Sequence, residues 1–230
     1  MTLRLKIISP LKATAADLER RQRRYHQQAQ PETAVSVLNL DSGPQALNSS
    51  GDILSSAAAI FAIGSKITRD DCEAILIDCV FDPAVDELYE ETGILTFGPT
   101  RTTLPLISLV APNFSIIARS QRQCELLAKL VQREGFGNRI QSVRALDISY
   151  EEAKQTEIYH KVMLSKLETA VSKDGAEAIM FGSTTMALTD DMRRKAGGKP
   201  LFMPGMIALS VIEQLWFGGL WPVYSGNSSS

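Results

Sequence analysis

The chain has 230 residues, of which 44% are hydrophobic and 22% are charged, and its formal net charge is -2. This composition suits one large domain or two lobes, and the balanced charge excludes the basic surface typical of a nucleic-acid-binding protein. Apolar runs of about ten residues fall short of the roughly 20 that a membrane-spanning helix needs. The N-terminal segment is too short and too charged for a signal peptide. We therefore predict a cytoplasmic protein without nucleic-acid or membrane partners.

The cysteines and histidines do not form a recognisable metal or disulfide pattern. Cys72, Cys79 and Cys124 make neither an even framework nor a Cys-x-x-Cys pair. The two histidines, His26 and His160, are far apart in polar stretches of helical period. The sequence therefore predicts no disulfide bond and no metal site.

Short apolar runs alternate with stretches of helical period along the whole chain. In chain order we predict strand 3–8, helix 15–30, strand 34–40, helix 55–68, strand 73–77, helix 82–92, strand 93–97, helix 104–111, strand 114–118, helix 121–134, strand 139–146, helix 151–173, strand 177–181, helix 190–196, strand 201–203 and helix 206–217. This alternation predicts an α/β fold with mainly parallel sheets flanked by helices. In such sheets the chemistry gathers at the carboxyl ends of the strands.

An internal repeat divides the chain into two similar halves. Residues 73–79 (EAILIDC) align with residues 177–183 (EAIMFGS), and residues 5–9 align with residues 114–118 at a similar spacing. We predict two pseudo-symmetric lobes, the first formed by residues 1–98 and 205–230 and the second by residues 99–204. If the lobes face each other, Cys79 and Ser183 approach one cleft from opposite sides.

Two segments resemble the cysteine motifs of hydantoin racemases. Residues 78–83 (DCVFDP) are similar to the first motif, and residues 174–186 (DGAEAIMFGSTTM) to the second, in which a cysteine stands in place of Ser183. The same pattern includes Gly43, Pro44, Pro200, Pro204 and Glu213. The chain thus resembles the aspartate/glutamate/hydantoin racemase superfamily over nearly its full length. The resemblance implies two flavodoxin-like lobes with the active site between them, no metal or other cofactor, a small-molecule carboxylate or ureide substrate, and a homo-oligomer.

The chemistry that the resemblance implies is racemization at a carbon next to a carbonyl. A proton leaves one face of that carbon and another returns to the opposite face, so two opposed acid/base groups are needed, and a thiol is readily poised for this work. Cys79 is the expected acid/base, and Ser183 holds the second catalytic position. Backbone N–H groups of the two turns can hold a carboxylate or an enolate oxygen. The expected substrate-binding residues are Ser9, Val80, Phe81, Thr184, Thr185, Arg101 and Ser120.

Two departures from the family pattern leave alternatives open. A serine hydroxyl is much less acidic than a thiol, so Ser183 means either one-sided chemistry by Cys79 or an engineered Cys→Ser change. Residues 9–14 (SPLKAT) replace an Asn-Pro-Asn-Thr-Ser-like segment, which leaves the substrate open. Arg101 and the pair Arg119-Ser120 each follow a strand, and each is either an anion clamp for a substrate carboxylate or an ordinary turn.

Four functions remain in view from the sequence. The leading one is a racemase or other isomerase that uses Cys79 for proton transfer. The second is a single-thiol lyase like arylmalonate decarboxylase, in which an enolate is protonated by the thiol. A hydrolase with Cys79 as nucleophile lacks a histidine in a motif position. An inactive ligand-binding homologue is the fourth. The stereochemical course and the oligomeric state stay open.

Overall fold

The computed structural model describes residues 2–148, 152 and 155–222. Two four-stranded parallel sheets form its frame, with strand orders β2-β1-β3-β4 and β6-β5-β7-β8. The strands are β1 Leu3–Ile8, β2 Thr33–Leu38, β3 Ala74–Ile77, β4 Leu95–Phe97, β5 Phe114–Ala118, β6 Ile140–Ala145, β7 Ile179–Phe181 and β8 Leu201–Phe202. Because the second sheet repeats the order of the first, the predicted pair of pseudo-symmetric α/β lobes is confirmed.

Helices connect the strands on both faces of each sheet. They are α1 Ala15–Gln28, α2 Ser50–Gly64, α3 Val85–Thr92, α4 Pro99–Val110, α5 Gln121–Arg133, a 3-10 turn Gly137–Arg139, α6 Thr156–Ser172, α7 Asp190–Lys195 and α8 Pro204–Phe217. None of the helices in the described part of the chain is long and apolar enough to cross a membrane.

The central strands explain where the site lies. β3 and β5 are buried along their whole length, as expected of parallel strands covered by helices on both faces. β3 ends just before Asp78 and β7 just before Gly182, so both motifs follow the carboxyl end of a central strand. A side chain at Gly182 would lie 3.0 Å from Cα of Ala118, which explains the glycine at this crowded crossing.

Two helices begin five residues earlier than the sequence predicts. α2 begins at Ser50 rather than 55, since the Ser49 hydroxyl accepts from the backbone N–H of Asp52 at 3.0 Å. α4 begins at Pro99 rather than 104, with the proline in the first turn, where its missing N–H costs nothing. The start of the predicted helix 151–173 includes residues outside the described part of the chain.

The last helix returns to the first sheet. α8 packs against α4 and also against α1 and β3. Its buried Glu213 accepts hydrogen bonds from the backbone N–H of Gln30 at 2.7 Å and from the hydroxyl of Thr33 at 2.8 Å. These contacts join α8 to β2 and its preceding turn. The exact lobe boundaries stay a prediction.

Candidate active site

The two motif turns touch each other between the lobes. The hydroxyl of Thr184 donates to the backbone carbonyl of Asp78 at 3.2 Å. That carbonyl belongs to the peptide bond that joins Asp78 to Cys79. The segments after β3 and after β7, far apart in sequence, therefore meet within one residue of both predicted catalytic positions.

Cys79 is buried and its thiol is held in the protonated form. Its exposed fraction is 3%, and its sulfur accepts from the backbone N–H of Phe81 at 3.5 Å. Burial raises the pKa of the Cys79 thiol well above its usual value, and the nearby carboxylates of Asp82 and Asp78 add to the effect. At neutral pH the resting group is thus a proton donor.

Asp78 forms a buried ion cluster behind Cys79. Its carboxylate pairs with the Arg21 guanidinium, lies 3.1 Å from Nη2 of Arg24 and accepts from the Tyr25 hydroxyl at 2.7 Å. Burial opposes the charged form of Asp78, but the two guanidiniums outweigh it and lower its pKa. All three partners lie on one face of α1, at positions i, i+3 and i+4. Two guanidiniums therefore share the one carboxylate of Asp78 next to Cys79.

Asp82 closes the turn after Cys79. Its backbone has a positive φ of 49°, and its carboxylate accepts from the backbone N–H groups of Thr100 at 3.1 Å and Arg101 at 2.7 Å. Asp82 thus caps the N-terminus of α4. Burial raises its pKa to about 7 despite these hydrogen bonds. This link fixes the turn that carries Cys79 against α4.

Ser183 and Thr185 share a guanidinium. Nε of Arg119 donates to the hydroxyl of Ser183 at 3.3 Å, and Nη2 donates to the hydroxyl of Thr185 at 2.5 Å. The two hydroxyl oxygens are 3.1 Å apart, and the backbone N–H of Thr185 donates to Oγ of Ser183 at 3.3 Å. All three side chains are half-buried. We call them the Arg119 cluster.

The other predicted binding residues have contacts within the fold. Val80 and Phe81 are buried in the Cys79 turn. The Ser9 hydroxyl donates to the carbonyl of Leu11 at 3.0 Å, and the Ser120 hydroxyl accepts from the N–H of Gln123 as the cap of α5. The Arg101 guanidinium pairs with Asp86 at 2.6 Å and with Glu134 at 3.2 Å. Substrate binding by these residues stays a prediction. The arginine that contacts Ser183 is Arg119, not Arg101.

Sequence reasoning missed the arginines of α1. A signal for them exists, because an aspartate at the end of a buried strand needs a cationic partner. Arg21 is 8% exposed and sits on the inward face of α1, where a sequence reading expects apolar residues. Across residues 2–148, 152 and 155–222, no three His, Cys, Asp or Glu side chains come together as a potential metal site.

The sequence model of the Asp/Glu/hydantoin racemase family matches residues 5–211, and the chain belongs to this family. Among curated proteins it is similar to a hydantoin racemase of Paenarthrobacter aurescens, with 29% identity over 199 residues that cover 80% of this chain and 78% of the relative. A hydantoin racemase of Rhizobium meliloti is 26% identical over 190 residues, which cover 81% of this chain and 78% of that protein.

Solved structures confirm the two-lobed fold. Allantoin racemase from Klebsiella pneumoniae superposes with a TM-score of 0.85 at 20% identity, covering 98% of this chain and 92% of the other. Arylmalonate decarboxylase has a TM-score of 0.63 at 15% identity, with 94% and 93% coverage. At these identities the likeness concerns the fold alone. The same fold occurs in a racemase and in a decarboxylase.

Proposed function

We propose that this chain is a cofactor-independent isomerase that acts on amino acids or their derivatives. It transfers a proton at the carbon next to a carbonyl or carboxylate, with Cys79 as the acid/base and Ser183 in place of a second cysteine. The observation that carries the proposal is the contact between Thr184 and the Asp78–Cys79 peptide bond, because it brings both motif turns to one place. The racemase names of the relatives support it. A cytoplasmic location and a homo-oligomer stay predictions.

The hydrogen bonds around Ser183 favour one-sided chemistry. A hydroxyl has two lone pairs and one hydrogen. Oγ of Ser183 accepts from Arg119 and from the N–H of Thr185, so its own hydrogen is left to donate to Oγ1 of Thr185. Oγ1 of Thr185 also accepts from Arg119, so the hydroxyl hydrogen of Thr185 points away from the cluster. Ser183 is therefore a donor with no lone pair left to take a substrate proton.

Deuterium exchange tests the proposal directly. Single enantiomers of 5-substituted hydantoins, N-carbamoyl amino acids and amino acids are incubated with the protein in heavy water. NMR follows exchange of the α-hydrogen, and polarimetry follows optical rotation. We expect catalysed exchange that outpaces the loss of rotation, since Cys79 serves one face. The exchange rate should rise with pH, because the Cys79 thiol, whose pKa is raised by burial, must first lose its own proton to solvent before it can take the α-hydrogen. Equal rates would contradict the one-sided assignment, and no catalysed exchange on any substrate would contradict isomerase function.

A Ser183→Cys variant is expected to speed racemization. A second thiol supplies the missing acid/base on the opposite face, and such a group contributes about 10²- to 10⁴-fold to a proton-transfer step. The ratio of racemization to exchange should rise toward unity. The matched control is Ser183→Ala, which removes the hydroxyl without adding a thiol and should leave that ratio low. A Ser183→Cys protein whose ratio matches that of Ser183→Ala would argue against this cleft geometry.

Decarboxylation is the second candidate, favoured by the protonated state of Cys79. Loss of carbon dioxide from a substituted malonate leaves its bonding electrons in an enolate without any base. The Cys79 thiol then gives its proton to the carbon, and the thiolate regains a proton from water. Release of carbon dioxide from malonates, without α-hydrogen exchange on the monocarboxylates, would establish this reaction in place of the first.

A further inference from the structure

We infer that Thr100, in the first turn of α4, is a positioning residue for Cys79. Its hydroxyl holds the peptide bond between Val80 and Phe81 so that the N–H of this peptide bond points at the Cys79 sulfur. The inference rests on the proposed function, since it adds a residue to the same site and concerns how the thiol is prepared for proton transfer.

A single peptide bond links the Thr100 hydroxyl to the thiol. The hydroxyl donates to the backbone carbonyl of Val80 at 2.6 Å. The N–H on the other side of the same peptide bond is that of Phe81, and it donates to Sγ of Cys79 at 3.5 Å. Because a peptide bond is planar, fixing its carbonyl oxygen also fixes the direction of its N–H. The bond at the carbonyl polarises that N–H as well, since hydrogen bonds in series strengthen one another.

The link lies in the protein interior. Thr100 is 0% exposed, Val80 5% and Cys79 3%, so water hardly competes for the carbonyl or for the sulfur. A buried carbonyl needs a donor from the protein, and the Thr100 hydroxyl supplies one. Gly98 allows α4 to begin this close to the turn, because a side chain at Gly98 would collide with that of Asp82.

The turn after Cys79 has a strained backbone that needs such contacts. Asp82 and Ala84 have positive φ angles of 49° and 61°, which residues other than glycine rarely adopt. The Asp82 carboxylate accepts from the backbone N–H groups of Thr100 and Arg101, as described above. Thr100 therefore contacts this turn twice, through its hydroxyl and through its backbone. Only the hydroxyl contact acts on the peptide bond that reaches the sulfur.

The hydrogen bond at the sulfur favours the thiolate. Burial raises the pKa of the Cys79 thiol, and the backbone hydrogen bond opposes that rise. The charged groups that act on the sulfur are Asp82 and Asp78, which raise this pKa, and Arg21, which lowers it. Removal of the Thr100 hydroxyl leaves all three charged groups in place. The N–H is then less well directed at the sulfur, so less thiolate forms at a given pH.

Thr100→Val is the variant that tests the inference. It replaces the hydroxyl by a methyl group of similar size and keeps the backbone N–H that Asp82 binds. We expect kcat for α-hydrogen exchange to fall by about 10- to 100-fold with KM within about twofold, since the thiol is misplaced and the substrate contacts are kept. The rise of the exchange rate with pH should move to higher pH. Thr100→Ser, which keeps the hydroxyl, should restore kcat to within about threefold.

Thr103→Val is the matched control. Thr103 lies three residues further along α4 and is also 0% exposed, but its hydroxyl has no hydrogen-bond partner among the described residues. Thr103→Val should change neither kcat, nor KM, nor the dependence of the rate on pH. Urea denaturation of both valine variants separates an effect on the stability of the fold from an effect on the thiol.

NMR spectroscopy supplies a measurement that needs no substrate. A hydrogen bond shifts the carbonyl carbon of its acceptor and the amide proton of its donor downfield. In Thr100→Val the carbonyl carbon of Val80 and the amide proton of Phe81 should both move upfield. In Thr103→Val neither resonance should move.

The outcomes separate this inference from the proposed function. An unchanged kcat in Thr100→Val, or a loss that Thr100→Ser does not restore, would overturn the inference while leaving exchange by Cys79 intact. Resonances of Val80 and Phe81 that respond equally to both valine variants would overturn it as well. If no substrate showed catalysed exchange, the proposed function would be wrong, and these two resonances alone would decide whether Thr100 directs the N–H to the sulfur.

Discussion

Cys79→Ala is expected to lower the rate of catalysed α-hydrogen exchange by about 10²- to 10⁴-fold, the usual contribution of a general acid/base. The loss should be this large because Ser183 has no lone pair left to take over the proton transfer. The measurement is exchange in heavy water on the best substrate found, with the uncatalysed exchange subtracted, since hydantoins lose their α-hydrogen slowly without enzyme. Cys79→Ser, which keeps a hydroxyl in place of the thiol, should lose a similar amount.

The two other cysteines provide matched controls. Cys72 and Cys124 are also buried, and burial raises the pKa of each to about 11. Neither belongs to a motif turn, so Cys72→Ala and Cys124→Ala should retain exchange within a few-fold of the original rate. If Cys79→Ala retained that rate as well, Cys79 would not be the acid/base of the isomerase mechanism.

The strands of the two sheets could be predicted from the sequence, because the pattern of buried apolar residues determines where they lie. The bounds of β1 and β5 agree with the prediction at both ends, because β1 alternates apolar with charged residues and β5 is a short, mainly apolar run. The positions of both motifs at the ends of β3 and β7 follow from the same pattern, since a parallel sheet places its functional turns at one edge. Here local signal and tertiary structure agree.

The partners of charged residues were not predictable in the same way. Arg101 and Arg119 both follow a strand and begin a helical stretch, so the chain offers the same local signal for each. The structure pairs Arg101 with Asp86 and Glu134 and directs Arg119 to Ser183 and Thr185. The two arginines differ in which distant side chains the fold brings close to them. The spacing of residues along the sequence does not predict those contacts.

Asp78 provides the largest expected effect on stability. Asp78→Asn removes the charge that two buried guanidiniums share while keeping the shape of the side chain. Its side chain is 0% exposed and that of Arg21 only 9%, so water cannot replace the lost partner. Breaking a buried ion pair in this way typically costs about 3–5 kcal/mol, a large fraction of the roughly 5–15 kcal/mol by which a domain is stable. Urea denaturation should show this as a lower midpoint with an unchanged slope.

Asp174→Asn in the second lobe is the control for Asp78→Asn, because it breaks a more exposed ion pair and so shows how much of the stability loss comes from burial. Asp174 pairs with Arg144, but their side chains are 14% and 30% exposed, so solvent compensates for the missing charge. We expect a loss of about 1 kcal/mol there. Adding Arg21→Met to Asp78→Asn should restore part of the stability, because an apolar side chain then replaces the unpaired cation. Equal losses for Asp78→Asn and Asp174→Asn would show that the Asp78 cluster does not hold the Cys79 turn as tightly as its burial indicates.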